Sequence, residues 1–174
     1  MTRRAALALA CACALACAAA AAPARAQSFG AAAFVSAGNG VEIGSGDGQT
    51  IVQRSRLFID IGARTWTDEL REVTWGGSVR VEVEGRASVA FVPRAELEQH
   101  LGPLAIRPGA GVPMFIAPFT MVGVEGSLMG VLSLGRTLGV FGAVLIDAFF
   151  LGTDVPNDSA VLMFNGAIGV ELAL

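Results

Sequence analysis

The sequence predicts an all-β protein: a closed, antiparallel, up-and-down transmembrane β-barrel of about eight strands, with a short helical turn in one loop. Apolar and polar residues alternate over long stretches, as in "SVRVEVEGRASVAF" at 78–91, and glycine recurs at short intervals. Several of these stretches exceed the usual strand length of about five or six residues. They reach the roughly 9–11 residues that a tilted strand needs to cross a bilayer.

The start of the chain is predicted to be a leader that is removed. Arg3 and Arg4 precede an apolar run, and Ala24 and Ala26 form a small-residue cleavage site. We therefore expect a cleaved secretory signal peptide over residues 1–26. The barrel domain is expected over residues 27–174.

All three cysteines, Cys11, Cys13 and Cys17, lie in this leader. The mature chain then has no thiol for a disulfide or a metal site. The alternative is a lipoprotein signal, in which Cys17 would be lipidated after cleavage. Ala14, however, occupies the position at which such signals usually have leucine.

The charge balance excludes one class of partner. Three of the 12 basic residues lie in the leader, so nine arginines face 15 acids and the mature net charge is −6. An acidic chain without a basic patch argues against binding to nucleic acid.

Eight candidate strands follow from the alternation and the turn signals. In chain order they cover 29–37, 41–45, 51–64, 77–92, 104–112, 119–134, 138–150 and 160–174. The glycine-flanked asparagine at 38–40 predicts a tight turn between the first two candidates. Residues 93–103 begin and end with proline around good helix formers, and this pattern predicts the short helical turn.

A helical alternative exists for the apolar second half. Residues 126–146 carry only one charge and contain two G-x-x-x-G spacings, which are typical of packed transmembrane helices. Arg136 would lie within that span, where a charge is expensive, and Gly135 and Gly139 would weaken a helix. The strand interpretation is therefore favoured.

The third and fourth candidate strands have complementary charges on one face. If they pair so that opposed residue numbers sum to 140, Asp60 lies opposite Arg80 and Arg56 lies opposite Glu84, with Arg54 diagonal to Glu84. The other face then brings apolar residues together, so a slip by one residue would mix apolar with charged side chains.

We predict that the charged face lines a narrow lumen and that the apolar face contacts lipid. Later strands add acids on the same face, among them Glu125 and Asp147, which oppose each other if the chain turns at 135–137. We expect Arg54, Arg56 or Arg64 to neutralise these acids across the barrel. The predicted lumen-lining charges are Arg54, Arg56, Asp60, Arg64, Arg80, Glu82, Glu84, Arg86, Glu125, Asp147 and Glu171.

With its leader, its alternating strands and a last strand "NGAIGVELAL" that runs to the chain end, the chain resembles the small bacterial outer-membrane β-barrel proteins, OmpA- or OmpX-like in the broad sense. Family members usually end in an aromatic residue, whereas this chain ends in Leu174. The resemblance implies the cell outer membrane as location, outer-membrane lipid and the assembly machinery as partners, and periplasmic termini. It places the 65–76 and 151–159 loops outside the cell.

The resemblance implies a structural, surface-interaction or narrow-pore role. The alternative is a soluble periplasmic, lipocalin-like barrel that binds an apolar ligand, because a solvated sheet gives the same alternation. We expect no catalysis, no cofactor and no metal. His100 lacks the partners of a catalytic base, and the loop with Asp154, Asn157 and Asp158 does not have EF-hand spacing.

Overall fold

The computed structural model describes residues 30–46, 49–67, 70–85, 87–153, 155 and 160–174, and the predicted leader lies outside them. The described residues form eleven strand segments. They are β1 (Ala31–Gly46), β2 (Gln49–Arg54), β3 (Phe58–Trp66), β4 (Val73–Glu82), β5 (Ser88–Leu97), β6 (Gln99–Leu101), β7 (Leu104–Gly111), β8 (Met114–Ala117), β9 (Met121–Ser133), β10 (Leu138–Gly152) and β11 (Ala160–Ala173).

These segments build one closed antiparallel barrel of eight strands, which confirms the predicted fold class. β2 with β3, β5 with β6, and β7 with β8 each follow one another along a single barrel strand. β1 closes the sheet by pairing with β3 on one side and with β11 on the other. In the described part of the chain, no helix has the length and apolar character to span a membrane.

β1 is continuous through the predicted turn at 38–40, so that turn is wrong. The glycines at 38 and 40 allow neighbouring groups to pack closely against the β1 backbone. A Cβ on Gly40 would lie 1.8 Å from the carbonyl oxygen of Phe164, and one on Gly38 would lie 2.6 Å from the ring of Phe58. Glycine therefore lets β11 and an interior ring approach the β1 backbone.

The stretch 77–92 is a hairpin, not the single predicted strand. β4 ends at Glu82, and β5 begins at Ser88, its partner in the ladder. Partner numbers in this hairpin sum to an even value, so even-numbered residues point inward on both strands. The alternation of inward and outward residues therefore keeps the same parity on both sides of the turn. For this reason the sequence pattern does not reveal the turn.

The helical turn predicted at 93–103 is also wrong. Residues up to Leu97 continue β5, and β6 pairs with β7 around the turn at Gly102. Arg94, Glu96 and Glu98 are buried. Their charges are compensated only in the extended conformation, and this tertiary requirement overrides the local helix propensity.

The extra hairpin changes which end of the barrel each loop occupies. The Trp66 amide donates to the carbonyl of Gly30 at 3.1 Å, and the Leu174 amide donates to the carbonyl of Ala31 at 2.8 Å. The connection after β3 therefore lies at the end that holds the chain termini. Its predicted place at the opposite end, with the 151–159 loop, is wrong.

The predicted register between β3 and β4 is confirmed over residues 58–66 and 74–82, whereas Arg56, predicted opposite Glu84, forms its ion pair with Glu82. Asp60 pairs with Arg80, and Ile59 and Ile61 pair with Val81 and Val79. The segment 126–146 lies in β9 and β10 and the turn between them, so the helical alternative for it is wrong.

Barrel closure predicts a specific disulfide. With the leader cysteines replaced by alanine, Ala37→Cys and Ile168→Cys should cross-link on oxidation, because these partners lie opposite each other at about 5 Å. The control pair Ala37→Cys and Gly142→Cys lies in the same row but two strands apart, about 10 Å, and should stay reduced. Equal cross-linking of both pairs, read on a non-reducing gel, would contradict closure between β1 and β11.

Candidate functional site

The barrel has an interior rich in charge. Even-numbered residues of β3, β4 and β5 and odd-numbered residues of β7, β9, β10 and β11 point inward, as their burial shows. The buried charged residues are Asp60, Arg64, Arg80, Glu82, Arg94, Glu96, Glu98, Arg107, Glu125, Asp147 and Glu171.

Five of these residues form a central network: Asp60, Arg80, Arg94, Glu125 and Asp147. Glu125 accepts from the Nη2 of Arg80 and from the Nε of Arg94, each at 2.6 Å. Arg94 also donates to Asp60 at 2.8 Å, and Arg80 donates to Asp147 at 3.2 Å. The two guanidinium groups thus hold carboxylates from three different strands.

Neutral side chains complete the central network. Arg94 donates to the hydroxyl of Ser78 at 2.7 Å. The Asn165 amide donates to Asp147 at 3.3 Å and accepts from the Ser55 hydroxyl at 2.6 Å. Such bonds lower the cost of burying these charges. Among the described residues, Asp60 Oδ1, Asp147 Oδ1 and Arg80 Nε have no hydrogen-bond partner.

A second group, the terminal-end network, lies nearer the chain termini and consists of Arg64, Glu96, Glu98, Arg107 and Glu171. Arg64 donates to Glu96 at 2.5 Å. Arg107 donates to Glu98 at 2.9 Å and holds Glu171 through two bonds at 2.6 and 3.1 Å. This fork-to-fork geometry is the strong form of an arginine–carboxylate pair.

The remaining predicted charges lie at the opposite rim. Arg56 donates to Glu82 at 2.8 Å, and Glu82 is buried. Arg54 pairs with Glu84, but their side chains are 62% and 42% exposed. The structure therefore places Arg54 and Glu84 at the exposed rim of the barrel, not in the predicted lumen. Arg86 lies outside the described residues.

The expected partners of the later acids are wrong. Glu125 and Asp147 do oppose each other across β9 and β10. They are neutralised by Arg80 and Arg94, however, and not by Arg54, Arg56 or Arg64. Because the sequence predicts a helical turn around Arg94, it does not predict Arg94 as an interior residue.

Sequence reasoning missed Arg94, Glu96, Glu98 and Arg107 as interior residues. The first three continue the inward, even-numbered series of β5, so the alternation from Ser88 onward contained the signal. Arg107 had a weaker signal, since it is the only charge in β7.

Aromatic rings fill the space between the charged groups. The guanidinium of Arg80 lies 4.8 Å from the ring centre of Phe58, and that of Arg64 lies 4.6 Å from the ring centre of Phe34. Toward the rim, Phe115 packs against Phe149 with ring centres 5.5 Å apart. Two buried apolar clusters therefore interrupt the polar interior.

The interior pairs each of the carboxylates in the two networks with at least one arginine. No group of three or more histidine, cysteine or acidic side chains with the arrangement of a metal site occurs among residues that the structure describes. His100 is 57% exposed and lies 3.3 Å from Glu98. It contacts the edge of the terminal-end network.

Removing Arg94 should strongly destabilise the barrel. Arg94→Met leaves Asp60 and Glu125 short of one partner, and breaking a buried ion pair costs about 3–5 kcal/mol. Adding Asp60→Asn should restore part of this loss because it removes a buried negative charge. Urea unfolding in lipid vesicles measures both effects.

The exposed pair supplies the matched control for that experiment. Arg54→Met should leave the free energy of unfolding close to that of the unaltered protein, since exposed ion pairs contribute little. Equal losses for Arg54→Met and Arg94→Met would contradict the central role of the buried network.

The rim pair predicts an acid-sensitive contact. The hydrogen bond from Arg54, followed by one from the Leu57 amide, lowers the pKa of Glu84 below its ordinary value of 4.5. Its contribution to stability is therefore present above pH 4.5 and is lost as the pH falls through the lower folded-state pKa. A carboxyl-carbon NMR titration should show a low midpoint, which Arg54→Gln should raise. A midpoint unchanged by Arg54→Gln would exclude this cause.

Comparisons with known proteins identify solved structures that have a similar fold. No protein-family model matches the chain, and no curated protein is significantly similar to it in sequence. The structure of Neisserial surface protein A (NspA) superposes with a TM-score of 0.57 at 10% identity and covers 81% of this chain and 97% of NspA. Ail, the attachment invasion locus protein of Yersinia pestis, gives a TM-score of 0.46 at 9% identity, with 82% and 98% covered. The resemblance to small outer-membrane β-barrel proteins is thus confirmed at the level of the fold, through NspA.

Proposed function

We propose that this chain is a small outer-membrane β-barrel with a sealed, charge-lined interior, and that its role is structural or surface-interacting and not catalytic. The observation that carries the proposal is the polarity of the barrel wall. Charged side chains point inward, and apolar side chains point outward along the same strands. This polarity is the reverse of a protein dissolved in water.

The outward face supports a lipid surrounding. Its exposed residues on β3, β9, β10 and β11 include Ile59, Ile61, Val124, Leu128, Val144, Ile146, Phe164 and Ile168. A soluble monomer rarely exposes a contiguous apolar surface of this extent. In a bilayer, a closed barrel with such a face pairs its backbone groups from strand to strand where the wall crosses the lipid.

The interior supports an anchor in preference to a pore. Phe115, Phe119 and Phe149 pack together near the rim, and Phe34, Phe58 and Phe141 belong to a second buried cluster. An eight-stranded barrel has an interior about wide enough for side chains alone. We therefore favour a closed lumen, and a narrow conductance is the outcome that would revise this part of the proposal.

The soluble lipocalin-like alternative has the opposite requirement. A barrel that binds an apolar ligand in water needs an apolar cavity and a polar exterior. Here the interior holds the central network, and Arg80 and Asp147 lie where such a ligand would bind. The charge distribution therefore argues against this alternative.

Export by the leader over residues 1–26 and insertion by the outer-membrane assembly machinery remain predictions. Cell fractionation tests them together with the location. The full chain should pellet with the outer membrane, resist urea extraction and migrate differently on gels before and after boiling. A soluble product that urea extracts would overturn the proposal, and stepwise currents in planar bilayers would favour the narrow-pore role.

A charge placed on the outer wall should be costly only within the membrane. Val144 lies near the middle of β10 and is 57% exposed on the outward face. Val144→Arg should destabilise the barrel in vesicles by about 2–4 kcal/mol because it places a charge near the bilayer midplane.

The matched control for Val144→Arg is Val52→Arg in β2, beyond the barrel wall proper. It should cost less than about 1 kcal/mol, as expected at or beyond the interface. Equal and small effects of both substitutions on unfolding would argue against a lipid-facing wall.

A further inference from the structure

The central network contains more acids than bases. Asp60, Glu125 and Asp147 supply three carboxyl groups, whereas Arg80 and Arg94 supply two guanidinium groups. None of these five side chains is more than 8% exposed. With all five ionised, two positive charges against three negative ones leave one negative charge in excess. An uncompensated charge in this position is costly because it has been taken out of water.

Neighbouring groups do not supply the missing positive charge. The hydrogen-bonding partners Ser78 and Asn165 are neutral. Among the residues that the structure describes, no third basic side chain forms an ion pair with the three acids. The terminal-end network also has three acids and two arginines, but there the exposed His100 lies 3.3 Å from Glu98 and can add a positive charge. Because His100 is the only histidine of the chain, the central network must be balanced in another way.

The acids of the central network are not bound equally. Both oxygens of Glu125 accept from guanidinium groups, with two bonds at 2.6 Å and a third at 3.1 Å. Asp147 accepts through Oδ2 alone, from Arg80 at 3.2 Å and from Asn165 at 3.3 Å. Bonds from a cationic nitrogen to a carboxylate are usually about 2.7–2.9 Å long. Asp147 is therefore held much less tightly as an anion than Glu125 is.

The free oxygen of Asp147 lies beside a second acid. Asp147 is fully buried, and its Oδ1 has no hydrogen-bond partner among the described residues. Its ladder partner on β9 is Glu125, and the two carboxyl groups are within hydrogen-bonding reach of each other. Two carboxylates only accept, so they cannot form that bond unless one of them carries a proton. Like charges placed directly opposite on a sheet are also destabilising.

Asp60 is a poorer position for the missing charge. Its Oδ1 also lacks a partner, but its Oδ2 accepts from Arg94 at the shorter distance of 2.8 Å. It lies on β3 and has no acid as its ladder partner, since it pairs with Arg80.

We propose that the central network is a binding site for one proton near neutral pH, carried by Asp147 and shared with the facing carboxylate of Glu125. The proton, taken up from solvent, makes Oδ1 of Asp147 a donor to Glu125, while Oδ2 still accepts from Arg80 and Asn165. The network then holds two positive and two negative charges. A proton fits better than a metal ion, because the described acids do not have the arrangement of a metal site. Two facing acids that share one proton are a known solution to such crowding.

Infrared spectroscopy of the full barrel in lipid vesicles tests the proposal. The probe is the proton itself, near neutral pH and with no other ligand added. A protonated carboxyl group gives a C=O stretching band that is separate from the bands of carboxylates and backbone amides. We expect this band in the unaltered protein. Carbon-13 at the side-chain carboxyl of aspartate should shift it to lower frequency, whereas the same label on glutamate should leave it in place.

Three variants assign the proton and separate its loss from misfolding. Asp147→Asn replaces the protonated acid by a neutral amide of similar shape that can still donate to Glu125. It should remove the band and unfold at a urea concentration no lower than the unaltered protein. Glu125→Gln makes the same chemical change on the facing residue but removes an oxygen that binds guanidinium groups, so it should unfold at a lower urea concentration. Glu84→Gln at the exposed rim is the spectral control and should leave the band unchanged.

Four results would overturn the proposal. They are absence of the band, a shift with labelled glutamate alone, persistence of the band in Asp147→Asn, and a lower urea midpoint for Asp147→Asn than for the unaltered protein. Failure of Asp147→Asn to fold counts as the last of these, because it would show that an anion is required at this position. Location in the outer membrane is decided separately, by fractionation.

Discussion

Charge compensation inside a closed apolar wall is the constraint on which this structure depends. Arg94 on β5 binds Asp60 on β3, Ser78 on β4 and Glu125 on β9. One guanidinium thus ties together four barrel strands. A charge that faced the apolar surroundings of the wall would have no partner and would be costly. Each of these strands must therefore keep its charged face inward.

The same constraint explains why the barrel is closed and filled. A sheet with one charged and one apolar face has two ways to satisfy both: water on the charged face, or mutual pairing of charges around a small interior. The paired arginines and acids take the second route, and aromatic rings such as Phe58 and Phe34 fill the gaps beneath the guanidinium groups. The apolar face is then left for lipid.

The two ends of the barrel differ in how they finish the wall. At the end that holds the chain termini, short connections join the strands. The Trp66 indole donates there to Glu98 of the terminal-end network at 2.8 Å. At the opposite end, β1 continues past its last pair with β3 and pairs with β2, which has no other strand partner in the described part of the chain. The β1–β2 hairpin therefore extends the wall at this end beyond β3.

The sequence by itself determined the polarity of most strands and the register of Asp60 against Arg80, because alternation has a period of two and both strands carry matching charges close together in the chain. Only the tertiary structure decided that the chain reverses after Glu82, since an in-phase turn does not disturb the alternation. It also decided that Arg94 lies in a strand and neutralises Glu125. Local propensity favoured a helix there, and contacts across a barrel arise only when the first and last strands meet.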